Sequence, residues 1–166
     1  MSARLANVPV ALQTGAVSDE TAEHYDVSLA LPRNPGAVAL ARDFAATQLV
    51  KAGYLGRHDE IVLAVSELVT NALTHGGSAP TMRLAGNARR TRIEVADDSP
   101  MLPRQQDEFG PQGGWGLTMI GRMAAWGAFR RGPGKVVWCE ATLDSSARGT
   151  VELGLAVPAR ESGVPS

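Results

Sequence analysis

The chain has 166 residues, 44% of them hydrophobic and 20% charged, with a net charge of −1, which is an ordinary globular mix and enough for one domain with its own core. Near-neutral charge argues against nonspecific nucleic-acid binding and against a basic membrane-surface patch. A single cysteine, Cys139, excludes an internal disulfide framework and the usual structural zinc spacings, and no apolar run has transmembrane length, so a soluble cytoplasmic protein is expected.

Residues 1–24 lack apolar periodicity and read as a flexible N-terminal extension without a signal peptide's apolar segment. Tyr25, Val27, Leu29 and Leu31 then alternate with Asp26, Ser28 and Ala30, the period of a half-buried strand. Asn34 is placed as a helix N-cap, with Pro35 at the first helical position. The helix that follows is expected to bury Ala37, Leu40, Ala41, Phe44, Ala45 and Leu49, and to end near Gly53.

A second helix is expected over residues 59–75, stopped by Gly76 and Gly77. Its core face is Ile61, Ala64, Val65, Leu68 and Ala72. Glu67, Asn71 and His75 fall at four-residue intervals, so they form a slanting stripe beside that face. A carboxylate and a carboxamide so placed can serve as a base and a ligand for metal and phosphate. His75 closes the helix, where a cationic ring also suits packing or capping.

Two strands come next. Met82 and Leu84 share a face of the first; Ile93, Val95 and Asp97 share a face of the second. The parity of Asp97 aims a carboxylate toward the core side. Residues 99–116, rich in glycine and proline, form a long irregular segment: a lid, a binding loop or disorder. A helix over residues 116–125 would bury Leu117, Ile120 and Ala124. Residues 128–130 read as a strand, Gly132-Pro133-Gly134 as a turn, and Val137, Cys139, Ala141 and Leu143 as the inner face of a last core strand. Arg89, Arg90, Arg130 and Arg131 read as turn-exposed charges. Val151, Leu153 and Leu155 could add an edge strand.

The expected architecture is an α+β two-layer sandwich with a mixed, mostly antiparallel sheet and helices on one face. The expected domain covers residues 25–144, with residues 145–166 as an edge segment and tail. The common phosphate signatures are absent. Gly132-Pro133-Gly134-Lys135 lacks the Walker spacer and the hydroxyl residue after lysine, and Gly114-Trp115-Gly116 lacks the third glycine of the dinucleotide fingerprint. A glycine-rich loop opening a helix can still hold an anion through free N–H groups.

The order of these parts resembles the GHKL superfamily of ATPases and kinases over roughly residues 25–143. Within it, the chain is most similar to anti-sigma-factor serine/threonine kinases and related single-domain regulatory ATP-binding proteins. The likeness is carried by Ala41-Arg42, by the run from Ser66 to Asn71, by Trp126-Gly127, and by Gly134-Lys135-Val136-Val137-Trp138.

That resemblance implies ATP and Mg2+ as cofactors. Asn71 matches the N-box asparagine that holds Mg2+, and Glu67 the N-box acid that acts as base. Asp97 matches the G1-box residue that accepts from the adenine amino group. Gly114 and Gly116, with Trp115 and Leu117 beside them, match the G2 box at the phosphates, and His75 is carried as a further binding candidate at the end of the stripe. Two departures stand out. The G1 box is normally Asp-x-Gly-x-Gly and here reads Asp97-Asp98-Ser99-Pro100-Met101. A threonine usually supports the adenine-binding aspartate, and Val136, at about that position, cannot hydrogen-bond.

The implied activity is phosphorylation of a serine or threonine on a small antagonist protein, sequestration of a sigma factor, or both, with a homodimer also implied. No direct nucleic-acid or membrane partner is expected. A non-catalytic partner-binding module with a degenerate nucleotide site is the alternative; simple ATP hydrolysis is a weaker one.

Overall fold

The computed structural model describes residues 24–103, 115–143 and 151–155. Strand β1 (Tyr25–Ala30) alternates between half-buried and exposed positions, as its sequence period requires. Helix α1 (Gly36–Lys51) follows. Asn34 starts it as expected: its Oδ1 accepts from the Gly36 N–H at 2.9 Å and its carbonyl from the Ala37 N–H at 3.0 Å. Pro35 already has helical angles, φ −58 and ψ −26. Gly53 ends the helix in the left-handed region at φ 60, where a side chain would be strained.

The buried stripe of α1 is Ala37, Ala41, Ala45 and Leu49. Small residues at every fourth position let α1 lie close against the second helix, α2 (His58–His75). This corrects one expectation: Leu40 lies beside the alanine stripe and is 43% exposed. Phe44 is half-buried at the core's edge. In α2 the expected face is buried, and Val69 joins it. Asp59 and Glu60 occupy the first turn, where acidic groups suit the helix dipole.

Strands β2 (Thr81–Gly86) and β3 (Arg90–Asp97) follow. In β3, Thr91, Ile93, Val95 and Asp97 are the buried set, which bears out the parity argument. Helix α3 (Trp115–Met123) leads into β4 (Ala125–Arg131), β5 (Gly134–Thr142) and β6 (Val151–Leu155). The helix is shorter and β4 longer than the sequence suggested. Trp126 and Ala128 both point into the core, and the glycine between them had hidden the alternation. Leu143 lies beyond the end of β5 and is 37% exposed, so it is not a core residue.

The sheet order is β1-β2-β3-β5-β4-β6. Its pairs are antiparallel except the last, in which β6 runs parallel to β4. The fold is therefore an α+β arrangement with a mixed, mostly antiparallel sheet. Helix residues such as Val65 and Leu68 pack with Met82, Leu84, Ile93, Val95, Val137 and Cys139 in one core.

On the reverse face of the sheet, Arg92 lies over the Trp138 ring, 4.0 Å from its centroid. Ion pairs link Asp26, Arg83, Glu94, Arg92, Glu140 and Arg90 across that face. Its charges answer one another strand by strand, as cross-strand pairs do.

Candidate functional site

The site is built where β3 ends. Asp97 is the last residue of that strand and faces the core side. The β3–β5 register places Lys135 directly opposite it. The Lys135 Nζ donates to Asp97 Oδ1 at 2.9 Å, and the two side chains are 2% and 1% exposed. The same oxygen accepts from the Ser99 N–H at 2.8 Å. The other oxygen, Oδ2, is buried and has no hydrogen-bond partner among the described residues. Buried polar atoms are normally satisfied, so an orphan acceptor marks a place for a ligand donor. An exocyclic amino group, such as adenine's, has the required chemistry.

Gly134 makes this juxtaposition achievable. A Cβ there would stand 2.0 Å from the Asp97 carbonyl oxygen and 2.9 Å from the Asp98 Cα. The end of β3 and the start of β5 can lie this close because that position carries no side chain.

Asp98, the next residue, is exposed and holds the end of α2. Its Oδ1 accepts from the Gly77 N–H at 2.6 Å and the Ser78 N–H at 3.1 Å. These two backbone donors hold its carboxyl below the usual carboxylate range. Arg33 adds a bond to the Gly76 carbonyl at 2.6 Å. A Cβ on Gly76 would lie 3.1 Å from the Asp97 Cβ. The C-terminus of α2 therefore abuts the acidic end of β3.

The remaining candidates sit on elements around that junction. Glu67 and Asn71 are half-buried on α2 and His75 is exposed at its last residue. Each four-residue step along the helix is about 6 Å, so Asn71 lies one turn before the Asp98-bound terminus. Trp115, Gly116 and Leu117 open α3, which packs against α2 and β4. Their side chains, and Gly114 altogether, lie outside the described residues, as does most of the expected lid. Among the described residues no group of three or more His, Cys, Asp or Glu could hold a metal. Mg2+ needs fewer protein ligands than that when phosphates supply the rest, and a carboxamide oxygen such as that of Asn71 suits it.

Lys135 is the residue that sequence reasoning missed. Val136 was set at the position supporting Asp97, but it pairs with Ala96 and its side chain lies on the opposite side of the strand from Lys135. The signal was present: Lys135 has the same parity as Val137 and Cys139, both assigned to the core face.

The family model described as a histidine kinase-like ATPase domain matches residues 31–155. No curated protein matches the chain. Among solved structures, the nucleotide-free catalytic domain of the histidine kinase ThkA is similar over 75% of this chain and 98% of that one, at 13% identity and a TM-score of 0.46. No helix among the described residues is long and apolar enough to cross a membrane.

Proposed function

The chain belongs to the histidine kinase-like ATPase domain family, and from that premise we propose that it is an ATP-binding regulatory protein of the anti-sigma-factor kinase type. In this reading it phosphorylates a serine or threonine of a small antagonist protein, sequesters a sigma factor, or does both. The observation that carries the nucleotide assignment is the buried, unpartnered Oδ2 of Asp97, at a strand end that abuts α2.

Bound Mg-ATP supplies the phosphoryl group. Asp97 would accept a hydrogen bond from the adenine amino group through Oδ2. Asn71 would offer its carboxamide oxygen to Mg2+, one helical turn before the junction. Glu67, a further turn back, would orient or deprotonate the substrate hydroxyl. The protein's contribution in such a transfer is mainly positioning and charge stabilisation. His75, Gly114, Trp115, Gly116 and Leu117 are further binding candidates on the family resemblance alone.

Titration calorimetry with Mg-ATP tests the assignment. Asn71→Ala is expected to fold, by circular dichroism, and to lose measurable binding; affinity equal to the parent's would reject the site. In the same experiment Glu67→Ala should bind Mg-ATP yet transfer phosphate to a captured partner roughly 10²- to 10⁴-fold more slowly. Transfer at the parental rate would remove Glu67 as the base.

A second reading, a partner-binding module without catalysis, is favoured by one observation: Asp97 already gives one oxygen to Lys135 and Ser99. A thermal melt separates the two, because a nucleotide that binds the folded state must raise the midpoint.

A further inference from the structure

The ion pair between Lys135 and Asp97 has no part in the scheme above, which uses the carboxylate alone. A buried pair offsets its desolvation only when its remaining lone pairs and protons are also satisfied. Here the partners converge on one atom. Lys135 Nζ and the Ser99 N–H both donate to Oδ1, at 2.9 and 2.8 Å, while Oδ2 receives nothing. The backbone fixes this asymmetry. Lys135 is held opposite Asp97 by the strand register, and its neighbour Gly134 packs against the Asp97 carbonyl. The result is a carboxylate of set orientation with one oxygen committed inside the protein and one left over.

We propose that Lys135 is a positioning and specificity-determining residue of the nucleotide site: by binding Oδ1 of Asp97 it reserves Oδ2 for the amino group of adenine and disfavours a base that carries a carbonyl there. The inference rests on the nucleotide-binding reading of Asp97. An ionised carboxylate only accepts hydrogen bonds. A carbonyl facing it would leave two desolvated acceptors against each other, the kind of mismatch that gives strong discrimination. Without the ammonium, Oδ1 loses the side-chain donor that sets the carboxylate's orientation, so Oδ2 is no longer held as one acceptor at a fixed place before the base.

The test is calorimetry of the full chain with Mg-ATP and with the magnesium salt of inosine triphosphate, which has a carbonyl in place of the amino group. The parent is expected to prefer ATP by about tenfold or more, the worth of one hydrogen bond to a charged group. In Lys135→Met the preference should fall toward unity, while Lys135→Gln, which keeps an N–H donor for Oδ1, should retain most of it. A purely structural role would weaken both nucleotides together, so an unchanged ratio in folded Lys135→Met overturns the inference. If that variant does not fold, the double variant Lys135→Met, Asp97→Asn, which carries neither charge, decides the matter. It should bind the two nucleotides alike, and a persistent ATP preference overturns the inference. If the parent binds both nucleotides equally, this inference alone falls. If it binds neither, the nucleotide reading falls and takes this one with it.

Discussion

Lys135 and Asp97 form a buried ion pair whose removal in halves should be far worse than its removal whole. Lys135→Met leaves a carboxylate without its counter-charge in a site where its side chain is 1% exposed. The expected loss is about 3–5 kcal/mol, read from urea unfolding. Adding Asp97→Asn should return a large part of it, giving a coupling of at least about 1 kcal/mol in the double-mutant cycle. Additive effects would mean that the two groups do not stabilise each other. The sequence made Asp97 legible as a site residue, whereas for Lys135 it offered only an inward parity and not the pairing. Asp97 shared parity with Ile93 and Val95 and had to point inward. Lys135 followed a Gly-Pro-Gly turn, and lysine is almost never fully buried unless paired. Only the register between β3 and β5, a long-range property, supplies the partner.

Asp98 works between elements. Its bonds to Gly77 and Ser78 tie the chain after α2 to the end of β3, and those bonds lower its proton affinity in the folded state. A carboxyl depressed on folding binds fewer protons in the native chain than in the unfolded one. Its contribution is therefore complete above the ordinary carboxyl value of 3.8 and is lost as the pH falls through the lower folded value. Hydrogen exchange at Gly77 and Ser78, corrected for intrinsic rates, should show protection falling in acid below about pH 4. Asp98→Ala should remove that dependence; protection that stays flat with pH in the parent would assign the tether elsewhere. Element boundaries were readable where a residue type forces them. Asn34 and Gly53 bracket α1 through capping and a left-handed backbone, and Gly76 ends α2 in extended backbone where a Cβ would stand 2.6 Å from the Ala72 carbonyl oxygen. The inner face of α1 was less readable. Ala37, Ala41, Ala45 and Leu49 are buried as expected, but hydrophobicity also favoured Leu40, which close helix packing leaves outside.

At the scale of the whole sheet, the alternation of Met82, Leu84, Ile93 and Val95 and the tight turn before Lys135 announced a mostly antiparallel layer with helices on one side. Strand order was not legible. Nothing local says that β5 rather than β4 lies beside β3, because a hairpin can join the sheet by either strand. The same order exposes β4 to a specific risk. Its free side is covered by β6, in parallel, through pairs from Trp126↔Val151 to Arg130↔Leu155. Ending the chain at residue 144 removes β6 and leaves a row of unpaired backbone groups along β4, an invitation to edge-to-edge association. Light scattering should detect self-association of the truncated chain at concentrations where the parent does not associate. Asp97 and Lys135 lie across the β3–β5 seam, with β4 between them and the lost strand. If the nucleotide site is where these residues are, truncation should leave it able to bind. Mg-ATP at 100 times its Kd adds about 2.7 kcal/mol to the folded state, which raises the melting midpoint of a chain of this size by about 5–11 °C. Both the parent and the truncated chain should show that rise. A truncated chain that melts cooperatively but has lost the rise would place part of the nucleotide site beyond residue 144.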